Sequence, residues 1–275
     1  MKVLSRIALM LFICYAWQQE LAAQAWSFNL KKPQKYEDKK LPSEKTEEKK
    51  WTLWRKFTQN GVTKFNWHFN ARERLAQALD RAKASHRDDY TQLLSFYNYD
   101  LETISADRDI DSVLYKANAG ILIHDLRNAW IDNLYMIMGQ AWYYKKEFDT
   151  AYLTFQYVNY AFAPKEKDGY DIPIGSNATE GGNAFSISTK EDTRLPKRGW
   201  RRPPSRNESF IWQIRTTIAK DEMPEAAGLI ETLRSDPNFP ARLQPDLREV
   251  QALYFYEQQM WDSAAIHLEN ALDKA

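Results

Sequence analysis

The sequence predicts an all-α fold: a tetratricopeptide-repeat α-solenoid of helix–turn–helix units, interrupted by one long irregular insertion. Three observations predict it. First, Asp132 to Pro164 carries Tyr135-x-x-Met138-Gly139-x-x-Trp142, then Ala151-x-x-x-Phe155, then Pro164. That is the aromatic, apolar, small and Pro order of a helical-hairpin repeat of about 34 residues. Gly139 and Ala151 must be small where the two helices cross, and Tyr135, Trp142 and Phe155 fill the space around the crossing. Second, the pattern recurs. Phe148-Asp149-Thr150-Ala151-x-x-x-Phe155 lines up with Met223-Pro224-Glu225-Ala226-x-x-x-Ile230 and with Trp261-Asp262-Ser263-Ala264-x-x-x-Leu268. Ala252 and Phe255 then fall where Gly139 and Trp142 fall. Third, 14% of the 275 residues are aromatic, ten of them Trp, and only nine are Gly, which suits packed helices better than a turn-rich β protein.

Residues 1–25 read as a secretory signal. Lys2 and Arg6 precede the apolar run Ile7 to Trp17, which is too short to span a bilayer. Ala23-Gln24-Ala25 offers a small-x-small cleavage site, so export is expected, with Trp26 as the first mature residue. Cys14, the only cysteine, is the alternative processing point. Leu11 lies three residues before it, as in a lipoprotein signal, but Ile13 is bulky where that peptidase prefers a small residue. Cleavage after Ala25 would leave no cysteine, and hence neither a disulfide framework nor a thiolate zinc site.

Residues 26–50 are Lys- and Glu-rich with Pro33 and Pro42 and are expected to form a flexible polar tether. Residues 51–164 hold the N-terminal helices and the first clear repeat. Helical periodicity runs from Asn66 to Ala84, then from Asp88 to about Leu101 through Leu93, Leu94, Phe96 and Tyr97. A third helix runs from Asp109, a candidate N-cap, to His124. The repeat follows: Ala129 to Lys145, a turn at Lys146-Glu147-Phe148, then Asp149, a candidate N-cap, to Ala161. Residues 165–207 break the pattern with five Gly and four Pro and form the insertion, since loops of this length are uncommon inside a compact domain. Residues 208–275 return to helix–turn–helix repeats. Ala226 and Ala264 are 38 residues apart, a spacing that fits an extra turn at Asp236 to Pro245. The last helix keeps Ile266, Leu268 and Leu272 apolar where a solenoid would end in a polar cap, so the array is expected to be incomplete.

The chemistry-bearing residues are sparse. His68, His86, His124 and His267 have no metal-ligand spacing. Asp107-x-Asp109-x-Asp111 begins like a calcium loop, but Ser112 and Asn118 stand where Gly and Glu are required. There is no phosphate-binding Gly loop and no GxSxG elbow. A formal charge of +1 gives no case for nucleic acid. No catalytic residue, metal or cofactor is therefore expected. Two surfaces are candidates for partner binding. One is the groove-facing side of the first repeat helix: Asn133, Met136, Gln140, Tyr143 and Tyr144. Packing against the next helix pair is the competing role for Tyr143 and Tyr144. The other is the acid-free basic segment Arg194 to Arg206, in which Arg198, Arg201 and Arg202 surround Trp200. An anionic head group, a carboxylate or an acidic partner surface could meet it.

Lys64-Phe65-Asn66-Trp67-His68-Phe69-Asn70-Ala71, His124-Asp125-Leu126-Arg127-Asn128-Ala129-Trp130-Ile131-Asp132-Asn133 and Phe155-Gln156-Tyr157-Val158-Asn159-Tyr160 resemble the PorW/SprE proteins. These are tetratricopeptide-repeat proteins of the type IX secretion system, which also supports gliding motility. The resemblance spans Trp51 to Pro164 well and the remainder more loosely. It implies a non-catalytic periplasmic scaffold at the inner face of the outer membrane, with ring, motor or translocon subunits as partners. Members of that family are usually lipoproteins and longer than this chain. Two other readings stand beside it: a carbohydrate-binding helical-repeat lipoprotein of a nutrient-uptake system, and an enzyme-associated envelope protein using the insertion to form a pocket.

Overall fold

The computed structural model describes residues 30–32, 34–46, 48–162, 189 and 205–272. Among them there are helices and no strands. Helix α1, Leu53–Val62, passes through a π-helical turn, Thr63–His68, into α2, Phe69–Ser85. A short α3, Leu101–Ser105, leads to α4, Arg108–Leu122. Then come α5, Ile131–Tyr144; α6, Phe148–Ala161; α7, Arg206–Ala219; and α8, Met223–Ser235. A 3₁₀ turn, Ala241–Leu243, precedes α9, Gln244–Glu257, and α10, Trp261–Leu272, follows. From α4 to α10 each helix packs on the next, while α2 lies on α4 and α7 reaches α9. The described residues from Lys32 onward belong to one compact unit.

Three hairpins, α5–α6, α7–α8 and α9–α10, are closed by the same turn. Lys146, Asp221 and Gln259 are the positive-φ non-Gly residues among those described, at 65°, 62° and 60°. Each stands two residues past the end of its helix, directly after the cap residue. Its amide donates to the carbonyl three residues back: Lys146 to Tyr143, Asp221 to Ile218, Gln259 to Tyr256, all at 2.9 Å. The following amide reaches five residues back: Glu147 to Trp142 at 3.0 Å, Glu222 to Thr217 at 3.0 Å, Met260 to Phe255 at 2.9 Å. This double bond pattern satisfies carbonyls that a helix end otherwise leaves unpaired. The second helix then starts at once, with a buried Ala on the fourth residue after each such donor: Ala151, Ala226 and Ala264. Gly139 is required by contact. A Cβ there would lie 2.6 Å from the Phe155 ring, which is itself fully buried. The matching position holds Ala252 in the third hairpin and Ile214 in the second.

Several local expectations are corrected. Residues 88–100 are not helical but form an irregular strap. The Asp89 carboxylate takes the Thr91 amide and hydroxyl, at 3.0 and 2.6 Å, and the Ser95 hydroxyl donates to the Tyr97 carbonyl at 2.7 Å. Such local bonds compete with a helix, and Leu93, read as part of an apolar face, is exposed. Asp107, not Asp109, caps α4, accepting the Asp109 amide at 2.8 Å. Asp149 lies inside the first turn of α6 and Glu147 occupies the cap position. The later part of the expected polar tether is fastened down. Leu41 is buried, Ser43 donates to the Leu122 carbonyl at 2.7 Å, and Arg127 donates to the Lys49 carbonyl at 2.7 Å.

Helix α7 departs furthest from an ordinary repeat helix. Eleven of its fourteen residues are buried, and seven of those are polar: Arg206, Asn207, Ser209, Gln213, Arg215, Thr216 and Thr217. It is wrapped by α6, α8 and α9, so its polar groups must look for partners within the protein, and many find them. Thr216 and Thr217 donate to the carbonyls of Trp212 and Gln213 at 2.7 and 2.8 Å. Asn159 of α6 donates to Gln213 at 2.8 Å and accepts from the Ser209 hydroxyl at 2.5 Å, while its carbonyl takes Arg206 Nε at 3.1 Å.

Candidate binding face

The first helices of the three hairpins, α5, α7 and α9, present one side toward the strap. Tyr143 and Tyr144 of α5 stand 5.5 and 5.8 Å from the Trp212 ring of α7, both edge-on. The strap lays its aromatic residues over this side. Tyr99 meets Tyr144 edge-on at 6.2 Å and stacks on Tyr97 at 5.1 Å. Phe96 meets Tyr256 of α9 at 5.4 Å, and the Tyr256 hydroxyl donates to the Leu94 carbonyl at 2.8 Å.

The centre of this face is Arg215. Its guanidinium lies 4.5 Å from the Trp212 ring and 5.4 Å from the Tyr97 ring. Its Nη2 donates to Glu249 Oε1 at 2.8 Å, and the Tyr97 hydroxyl donates to the same oxygen at 2.9 Å. One carboxylate oxygen thus ties strap, α7 and α9 together, a charge-assisted arrangement inside an aromatic surround. Arg215 Nε is buried and has no hydrogen-bond partner. Beside it opens a cavity of about 500 Å³. Tyr97, Tyr99 and Trp212 form aromatic wall, and Lys83, Arg242 and Asp246 bring charge to the rim. Arg242 is already paired with Glu208 at 2.9 Å. The lining holds both signs of charge and aromatic surface, the chemistry of recognition by ion pairing and stacking.

The structure places the sequence-predicted groove residues differently from the expectation. Asn133, Met136, Tyr143 and Tyr144 are all buried, at 3–5% exposure, and Gln140 is half-buried. The aromatic strap and α7 cover the tyrosines, and Asn133 turns its Nδ2 to the Ser205 hydroxyl. These four therefore build the face and are not open to a partner. Arg198, Trp200, Arg201, Arg202 and Cys14 lie outside the described residues. Sequence reading missed Arg215, Trp212 and Glu249. The Trp–x–x–Arg spacing from Trp212 to Arg215 puts the two on one helix side, a usable signal. The pairing of Arg215 with Glu249, 34 residues away, leaves no local trace.

A second polar cluster sits where α5, α6 and α7 meet. Asp132 is 8% exposed and accepts the Ser205 amide at 2.9 Å. Burial pushes its carboxyl up to about 6, against the opposing pull of the Ser205 amide. Thr189, a described residue of the insertion, is fully buried. It donates through its hydroxyl to Asp236 at 2.7 Å and accepts from Asn207 at 2.8 Å. The histidines stay apart. His124 is buried with Nδ1 bonded to the Gly120 carbonyl at 2.7 Å, and burial lowers its pKa. Asp125 pairs with Arg127 and Arg55, at 2.7 and 3.3 Å. Arg81 bridges Asp107 and Asp109, and no metal-holding group of His, Cys, Asp and Glu occurs among the described residues.

No protein-family model matches the chain, and no curated protein matches it.

Two outcomes are expected. Glu249→Ala strands the buried Arg215 and should cost about 3 kcal/mol, whereas Tyr97→Phe removes one hydrogen bond and should cost about 1 kcal/mol; urea denaturation measures both. Asp132 holds its proton more tightly in the folded than in the unfolded chain. Wild-type stability relative to Asp132→Asn should therefore fall as pH rises from about 4 to about 6 and level off above, by up to roughly 3 kcal/mol. Denaturation series at pH values on both sides of this window check the sign.

Proposed function

We propose that the chain is an exported tetratricopeptide-repeat scaffold of the PorW/SprE kind, serving type IX protein secretion and gliding motility by binding other proteins. On this reading it is non-catalytic and needs no cofactor. Its place is the periplasm, at the inner face of the outer membrane, and its partners are ring, motor or translocon subunits. The observation that carries the repeat reading is the turn used three times, with one left-handed residue at the same point of each hairpin. A stack of such hairpins offers rigid side-by-side helices, the usual platform for partner segments.

The face of α5, α7 and α9 is where a solenoid of this type would take a partner segment, and here the strap lies on it. The basic Trp200 segment supplies the second contact. Two of the resemblance-bearing stretches also pack together: the Trp130 ring lies 5.0 Å from that of His68, and Asn128 donates to Thr63, just before the first stretch, at 2.6 Å.

Cross-linking and affinity capture of the tagged chain from intact envelopes, followed by mass spectrometry, tests this. Ring or translocon subunits should be recovered, and Trp200→Ala combined with Arg201→Ala and Arg202→Ala should reduce their recovery severalfold. Recovery of glycan-utilisation proteins alone would favour the carbohydrate-binding reading and end this one.

A further inference from the structure

Two charged side chains that line the cavity beside Arg215 are left without partners. Lys83 reaches it from the last turn of α2, Tyr99 from the strap, Arg215 from α7, and Asp246 and Glu249 from α9. Arg242 pairs with Glu208 at 2.9 Å, and Arg215 with Glu249 at 2.8 Å. Among the described residues, the side chains of Lys83 and Asp246 make neither a hydrogen bond nor an ion pair. The lining therefore balances Lys83, Arg215 and Arg242 against Glu208, Asp246 and Glu249, and keeps one charge of each sign unspent.

That balance selects against a ligand of one sign, because either sign would meet like charges in the lining. A neutral polyol and a zwitterion both have no net charge, and the unspent groups decide between them. Partial burial raises the pKa of the Asp246 carboxyl, and Glu249 and Glu208 add to this against Arg215 and Arg242. A carboxylate so placed is satisfied better by an ammonium than by a hydroxyl, since charge-assisted hydrogen bonds are the stronger kind. Arg215 is nine-tenths buried and its Nε has no partner, which marks a donor whose acceptor is not part of the chain. Half-buried Tyr99 adds ring surface to the lining. A cavity of about 500 Å³ falls in the range of small-ligand pockets and has room for a dipeptide.

We propose that this cavity binds a dipeptide-sized zwitterion carrying an aromatic side chain. The free carboxylate of the ligand is held by Lys83 and Arg215, its free ammonium by Asp246, and its ring by Tyr99. The site goes beyond the scaffold role and requires nothing of the secretion reading, so each fails or holds independently of the other.

Calorimetric titration of the full chain with alanyl-phenylalanine at neutral pH tests this. The free dipeptide should bind, and acetylating its amine or amidating its carboxylate should each weaken binding by about 10-fold. Asp246→Asn should weaken the free dipeptide by about 10-fold and leave the acetylated one unchanged. Lys83→Gln should weaken the free dipeptide likewise and leave the amidated one unchanged. Both side chains are unpartnered, so circular dichroism and the melting temperature should not move in either variant. The blocked dipeptides probe the unaltered chain and serve if a variant unfolds. Absence of binding overturns the proposal. So does equal affinity for the free and blocked dipeptides, or tighter binding of a neutral disaccharide such as maltose.

Discussion

Two helices can form the hairpin used here only if the chain reverses within about three residues and the helices then cross closely. The first demand puts a residue into left-handed backbone at Lys146, Asp221 and Gln259. The second puts small residues where the backbones meet. Gly139 against Phe155 is the extreme case, with no room for even a methyl group. The described helices C-terminal to α4 follow from this unit. Each hairpin sets its first helix beside the next, so that α5, α7 and α9 come to share a side, and the strap from residues 88–100 lies over it.

That arrangement places α7 in the middle, packed by α5, α6, α8 and α9, and explains its composition. A central helix with Arg206, Asn207, Gln213 and Arg215 buried is stable only if each group finds partners. Asn159, Glu249 and the threonines' own helix carbonyls supply many of them. The insertion also contributes, since Thr189 is buried between Asn207 and Asp236. Polar bonds of this kind depend on direction, so they fix the register of α6 on α7 where apolar contacts alone would permit sliding.

The hairpins were legible in the sequence because their constraints are local. A left-handed turn, a small residue at the crossing and an aromatic beside it fall at fixed offsets, as Ala151, Ala226 and Ala264 show. Helix ends moved by only one or two residues, for instance from Ala129–Lys145 to Ile131–Tyr144. The strap was not legible. Leu93, Leu94, Phe96 and Tyr97 have helical spacing, but Phe96 and Tyr97 find their partners on α7 and α9, and that long-range packing overrides local pattern. The binding face was half legible for the same reason. Tyr143 and Tyr144 do lie on the side of α5 that meets α7 and the strap, yet these cover them, and Glu249 became central only through contacts more than thirty residues distant.

The repeated turn is open to direct measurement. Lys146→Gly, Asp221→Gly and Gln259→Gly each replace a left-handed side-chain-bearing residue by the one that adopts this backbone without strain. Lys146 gives up only an exposed ion pair with Glu102, worth little. If all three hairpins share the turn, each substitution raises the free energy of urea unfolding, by about 0.5–1 kcal/mol. A loss of stability at any of the three positions would contradict a common turn and, with it, the account of the chain as one hairpin used three times.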